Sequence, residues 1–273
     1  MADQASPEKI MFLGKNYYYY QGLAGAWIKP RALGAFNIYV APNTHFRIRY
    51  EAGDWVECLA AAVPPNVRHQ IVSDCGSIVA IGVEPELVAD AALRALQRDV
   101  AAVVNRNGYL VRSIGPLQDF FACPTRSAGL QDSDFDQLVF GRRLEAKAID
   151  PRIAAALAYF DDNLANSGLS AQDCAGEVQL STSRFLHLFK ETTGISFRSF
   201  RMWKRARCFL AYANQDSSLT KVALDLGYPD SSHFSHSIRK TYGLKPRSIR
   251  DGSRDLKVHT GSDYRAHLQL MTA

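Results

Sequence analysis

The segment SLTKVALDLGYPDSSHFSHSIRKTYGLKPRSIR, residues 218–250, has the pattern of two helices joined by a tight turn. Gly227 suits the end of the first helix, where a left-handed residue without a Cβ costs little. Asp230 or Ser231 can cap the second, because a short oxygen-bearing side chain accepts from the free amides of a first turn. Phe234 and Ile238, four residues apart, share one apolar stripe of that second helix. Its opposite face carries Ser232, His233, His236, Arg239 and Lys240.

Working backwards, the same pattern occurs once before, in AGEVQLSTSRFLHLFKETTGISFRSF, which begins at Ala175. Phe185, Phe189, Gly194, Phe197 and Phe200 stand 49 residues before Phe234, Ile238, Gly243, Pro246 and Ile249. Ala175 stands 48 before Ala223, so the second turn is one residue longer. Gln179 occupies the place that Gly227 holds in the second copy. Ser181 can cap the following helix, whose outer face shows Arg184, His187 and Lys190. A duplicated helix-turn-helix with two polar outer faces points to double-stranded DNA, since a helix fits the major groove and its N-terminal turns reach base edges.

Between the copies lies FRSFRMWKRARCFLAYA, residues 197–213. Phe200, Trp203 and Leu210 can pack against both motifs, while Arg198, Arg201, Lys204, Arg205 and Arg207 cluster along the same helix. The charge balance agrees with a phosphate-binding module: residues 181–250 hold 13 Lys+Arg against 4 Asp+Glu, and residues 1–150 hold 15 against 16. The expected DNA contacts are Thr182, Ser183, Arg184, His187, Lys190, Lys204, Arg205, Ser231, Ser232, His233, His236, Arg239 and Lys240. Arg239 and Lys240, late in their helix, and Lys204 and Arg205 on the connector suit phosphate. Arg184 and His233 suit bases.

These segments resemble the AraC/XylS family of bacterial transcription regulators. The likeness rests on Ala223, Gly227-Tyr228, Ser232-His233-Phe234, Arg239-Lys240, Tyr242-Gly243 and Pro246, with Ala175, Leu180-Ser181, Phe185, Phe189-Lys190 and Gly194 in the first copy. It covers roughly residues 151–250 and implies a seven-helix domain with recognition helices near 182–193 and 231–242. His236 departs from an arginine usual there, Ile238 from a phenylalanine and Gln179 from a glycine. Asp150-Pro151 opens this domain, with Ile153, Leu157, Phe160 and Leu164 at helical spacing and Gly168 as a stop.

The first 85 residues read as strands, with runs at 16–21, 35–40, 46–50, 55–61, 67–72 and 77–83 between turn signals. GDWVECLAAAVPPNVRHQI, residues 53–71, resembles the cupin-like sensor domain often attached to this family. The expected fold is therefore α+β and multidomain. A cupin-like antiparallel β-barrel over residues 1–85 serves sensing or dimerisation. A helical linker or dimerisation segment follows over 86–148, then the double helix-turn-helix domain over 150–250, and a tail over 251–273. Within the linker, helices are expected over 85–105 and 134–147, with breaks at Asn107-Gly108, Gly115-Pro116 and 123–133.

His45 and His69 are isolated and no HxH stands on a strand, so no metal or other cofactor is expected. His69 either points into a pocket or is a satisfied buried or solvated polar group. Tyr17–Tyr20, Trp27, Phe36, Tyr39, Phe46, Tyr50 and Trp55 either line an organic-ligand pocket or serve as core and surface strand residues. Cys58, Cys75, Cys123, Cys174 and Cys208 are odd in number with no CxxC, and most read as buried small hydrophobes, a thiol sensor being the alternative. No converging nucleophile, phosphate loop or carboxylate pair suggests an enzyme.

The start MADQASPEKIMFLG does not read as a signal peptide, and no run is long enough for a membrane span. The expected partners are promoter DNA, a small-molecule effector, RNA polymerase if the regulator is an activator, and a second copy of the chain, all in the bacterial cytoplasm at the nucleoid. A ligand-independent architectural DNA binder is the alternative.

Overall fold

Successive side chains of a strand point to opposite faces, so a strand that is apolar at every position must be covered on both sides. Ile10–Leu13 (β1), Phe36–Val40 (β3) and Ala60–Val63 (β6) are buried at every residue, and Ser77–Val83 (β8) at all but its first. The computed structural model, which describes residues 9–23, 28–41, 44–73, 77–103, 109–130, 132–262 and 264, shows what covers them. With Tyr17–Leu23 (β2) and Lys257–Thr260 (β9) they form a six-stranded sheet in the order β6-β3-β8-β2-β1-β9. Phe46–Tyr50 (β4), Val56–Cys58 (β5) and His69–Ser73 (β7) form a three-stranded sheet, β5-β4-β7.

One face of the large sheet presents Ile10, Phe12, Tyr17, Tyr19, Phe36, Ile38, Val79, Ile81 and Val83 to helices that follow it in sequence. These are Asp90–Ala101 (α1), Tyr109–Ala122 (α2), Pro124–Ala128 (α3) and Asp132–Phe140 (α4). Phe121 and Phe135 are the anchors: Phe135 stacks on Tyr17 at 3.9 Å between centroids and Phe121 on Tyr19 at 4.4 Å. The other face presents Met11, Leu13, Tyr18, Tyr39, Ile78 and Ala80 to the small sheet and to the C-terminal helices.

The expectation of a cupin-like barrel is therefore corrected. Among the described residues β6 and β9 are edges of an open sheet, and no ladder joins the large sheet to the small one. The run expected at 55–61 splits at Leu59, where the chain leaves the small sheet for the large one. Two strands were not expected at all. β1 lies in the N-terminal start, and β9 lies in the expected tail and pairs parallel with β1, Ile10 opposite Lys257.

The helix expected over 134–147 is α4. It ends at Phe140 because Gly141 turns left-handed, at φ 68°. Pro116 lies inside α2 rather than breaking it. Trp27, Cys75 and the break expected at Asn107-Gly108 lie outside the described residues.

The C-terminal helices are Pro151–Asp162 (α5), Ala171–Glu177 (α6), Thr182–Thr193 (α7), Phe197–Cys208 (α8), Leu219–Asp225 (α9), Ser231–Tyr242 (α10) and Pro246–Gly252 (α11). A single 3-10 turn, Phe209–Tyr212, follows α8. Phe160, Phe185, Phe189, Phe197 and Phe200 form one aromatic cluster with centroids 5.0–6.4 Å apart, closing the first motif against α5 and α8. Phe209, Tyr228 and Phe234 close the second.

Candidate nucleic-acid interface

The two helices that follow the turns, α7 and α10, have the same build. In α7 the Ser181 hydroxyl accepts from the Arg184 amide at 3.3 Å, and Phe185, Leu188, Phe189 and Thr193 are buried. In α10 Asp230 Oδ1 accepts from the Ser232 and His233 amides, both at 2.8 Å, and Phe234, Ser237, Ile238, Thr241 and Tyr242 are buried. Both helices end on a left-handed glycine, Gly194 at φ 80° and Gly243 at φ 73°. The opposite faces are open. Ser183, Arg184, His187 and Lys190 are exposed on α7, with Thr182 partly so, and Ser231, Ser232, His233, His236, Arg239 and Lys240 are exposed on α10.

The two turns differ as their sequences do. Gly227 takes φ 71°, and a Cβ there would lie 2.8 Å from the Leu164 carbonyl oxygen. Gln179 takes φ 54° in the first turn, so a non-glycine residue holds the left-handed conformation that the turn requires.

Asp230 does more than cap. Its Oδ2 lies 2.8 Å from His233 Nδ1, which orients the imidazole at the first turn of α10. The His233 backbone amide, the ring and the Ser232 amide hold the Asp230 carboxyl below the usual carboxylate range. His187 has a looser acidic neighbour, Glu191 at 3.9 Å. The cap at Asp230 was legible in sequence; its hold on the His233 ring was not.

The connector helix α8 departs most from expectation. Lys204 and Arg205, expected on DNA phosphates, are turned into the protein. Lys204 Nζ lies 2.9 Å from Glu84 Oε2 and 2.5 Å from Glu86 Oε1. Arg205, 6% exposed, donates to the Leu164 carbonyl at 3.3 Å and the Asn166 carbonyl at 2.6 Å. Trp203 donates its indole N–H to Glu84 at 3.0 Å. Arg207 lies 3.2 Å from Glu84 Oε1 and donates to the carbonyls of Gly14, Lys15 and Tyr17. Arg201 donates to the Leu169 carbonyl, which leaves Arg198 as the exposed cation of the helix.

Burial alone would raise the pKa of Glu84. The cations Lys204 and Arg207, with hydrogen bonds from Lys204 and Trp203, outweigh it and hold the carboxyl below its ordinary value. Glu86 is raised by burial. Glu84 and Glu86 were not singled out in the sequence, because a basic helix does not announce an acid 120 residues away.

A cavity of about 270 Å³ lies between the large sheet and the C-terminal helices. Tyr18, Tyr39 and Ile78 line one side and Leu210, Tyr242 and Ile249 the other. Arg31 is its cation. The Arg31 guanidinium sits 5.2 Å from the Tyr39 ring centroid, its Nε has no hydrogen-bond partner, and no carboxylate among the described residues pairs with it. His69 is a satisfied core group: Nδ1 donates to the Val67 carbonyl and Nε2 accepts from the Tyr39 hydroxyl, both at 2.9 Å. Burial, then the Arg31 charge, lowers its pKa to about 3. Among the described residues no group of three or more His, Cys, Asp or Glu could hold a metal, and no helix is long and apolar enough to cross a membrane.

Comparison with known proteins fits this geometry. A helix-turn-helix domain family matches residues 174–252. The arabinose operon regulatory protein of Escherichia coli is 32% identical over 118 residues, covering 41% of this chain and 40% of that protein. Regulatory protein PocR of Salmonella typhimurium is 34% identical over 104 residues, covering 37% and 33%. The helix-turn-helix region belongs to the AraC/XylS family.

The matches to these relatives thus span only about two fifths or less of their length. ToxT from Vibrio cholerae O395 shares the fold over more of the chain, with a TM-score of 0.56 at 10% identity over 87% of this chain and 98% of ToxT. ToxT has also been solved bound to (E)-4-(8-methylnaphthalen-1-yl)but-3-enoic acid, at a TM-score of 0.55 and 12% identity over 87% of this chain and 99% of that one.

Proposed function

We propose that this AraC/XylS-family chain is a sequence-specific DNA-binding transcription regulator that sets α7 and α10 into successive major grooves of promoter DNA. The observation that carries this is the pair of matched helices, each with an exposed polar face and a buried face fixed by the same connector. Thr182, Ser183, Arg184 and His187, with Ser231, Ser232, His233 and His236, face the bases. Lys190, Arg239 and Lys240 meet phosphates. Lys204 and Arg205 act inside the protein instead.

Residues 1–85 with the helices of 86–148 form the sensing and dimerising unit, and residues 150–250 the DNA-binding unit. The regulator works in the cytoplasm, at the nucleoid when bound, as a homodimer that meets RNA polymerase where it activates. Its effector is an organic acid with an apolar body, seated in the cavity with its carboxylate on Arg31. The apolar lining, a guanidinium with no carboxylate partner among the described residues and the butenoic acid bound by ToxT support that class.

Selection of duplexes from a random pool by the full chain, followed by footprinting, tests the DNA reading. Two protected patches about one helical turn apart are expected. Arg184→Ala and His233→Ala should each relax the preference at a few base pairs by about 1–3 kcal/mol. A pool that stays unenriched, with no protected patch, would sink the reading.

A further inference from the structure

The two recognition helices end alike but are not held alike. At the end of α7 a Cβ on Gly194 would meet nothing within 4 Å. At the end of α10 a Cβ on Gly243 would lie 2.2 Å from the carbonyl oxygen of Lys29, in the connection between β2 and β3. The last carbonyls of a helix have no partner within it and must find donors elsewhere. Gly243 supplies one, its amide reaching the Arg239 carbonyl at 2.9 Å. The β2–β3 connection supplies others: the Ala32 amide reaches the Lys240 carbonyl at 3.3 Å and the Lys29 amide reaches the Gly243 carbonyl at 3.2 Å.

The same connection is clamped to the N-terminal unit. Arg31 and His69 exchange backbone hydrogen bonds at 2.8 and 2.9 Å, the Asn66 backbone amide donates to the Leu33 carbonyl at 2.7 Å, and the Gln70 side-chain Nε2 donates to the Ile28 carbonyl at 2.8 Å. Its side chains Ile28, Arg31 and Leu33 wall the cavity.

We infer that residues 28–34 are the positioning element of the second recognition helix: they complete its C-terminal cap from the N-terminal unit and so fix where α10, but not α7, stands. This rests on the reading of α10 as a DNA-contacting helix. Movement of the cavity wall reaches one recognition helix, α10, through these two backbone hydrogen bonds and through Tyr242, which lines the cavity itself. An occupant of the cavity therefore acts on one half of the DNA site.

The test uses the full chain with Ala32→Pro, which removes the amide that reaches Lys240; with Gly243→Ala, which displaces the Lys29 carbonyl; and with Ala32→Ser, which keeps the amide. Footprints on a duplex selected by the unaltered chain should lose affinity about fivefold in the half contacted by α10, with the α7 half retained and Ala32→Ser unchanged. Equal weakening of both halves, or of neither, overturns the inference. Amide hydrogen exchange without DNA separates its failure from failure of the DNA reading. Faster exchange in the last turn of α10 with α7 unaltered supports the link whether or not a duplex binds, and unaltered exchange in α10 refutes it.

Discussion

At the residue scale, the most consequential side chain is Glu84, fully buried between Trp203, Lys204 and Arg207. A buried charge is tolerated only while its partners are present, and removing one member leaves the others desolvated and unpaired. Glu84→Gln should therefore destabilise the chain by about 3–5 kcal/mol at neutral pH. The folded-state pKa of Glu84 lies below its ordinary value, so its stabilisation is present above the usual carboxylate range and is lost as pH falls through the folded value. Melting curves of parent and variant should therefore converge as the solution is acidified. A gap that stays constant with pH would show that Glu84 does not carry its charge in the folded protein. The basic run of α8 reads in sequence as a DNA-facing surface, and only its fold partners reveal that Lys204, Arg205 and Arg207 are used internally.

At the element scale, the helix-turn-helix pairs were legible because their signals are local: caps, a 3.6-residue apolar stripe and a left-handed turn. The six-stranded sheet was not, because pairing is non-local. The runs at 35–40 and 77–83 mark two strands, but they do not name their partners, and nothing in IMFL or KVHT says that those two pair across 247 residues. Nor does a strand sequence state whether its sheet closes. The two turns give an element-level test. Gly227 needs both a positive φ and close approach to Leu164, whereas Gln179 already bears a side chain at positive φ. Gly227→Gln should cost more than about 2 kcal/mol by adding a clash to the left-handed penalty. Gln179→Gly should shift stability by less than about 1 kcal/mol, relief of φ strain offsetting the entropy that glycine gains when unfolded. Denaturant midpoints at constant slope would check both, and equal costs at the two positions would mean that the turns are packed alike.

At the scale of the whole molecule, the two units are joined by more than their linker. β9 returns the chain from α11 to the edge of β1, the Glu84 network ties α8 to the sheet, and residues 28–34 cap α10. The cavity lies among these ties, so whatever fills it touches both units at once. Under the proposed function, Arg31 selects the occupant. Its guanidinium is held against Tyr39 without a carboxylate among the described residues, in a wall of aromatic and aliphatic side chains. A cation in apolar surroundings gains most from a ligand anion that supplies the missing charge while its body displaces water from the lining. An apolar carboxylate that binds only the folded chain raises stability by about 2.7 kcal/mol at a hundred times its dissociation constant. With an apolar carboxylic acid as the probe, the melting temperature should rise with ligand concentration, and the corresponding alcohol should be weaker. Arg31→Gln, which leaves the apolar lining intact, should weaken the acid by about tenfold or more, the worth of a charge-assisted hydrogen bond in a shielded site. It should leave the alcohol nearly unaffected. Equal loss of acid and alcohol in that variant would mean that Arg31 shapes the cavity rather than receiving the charge.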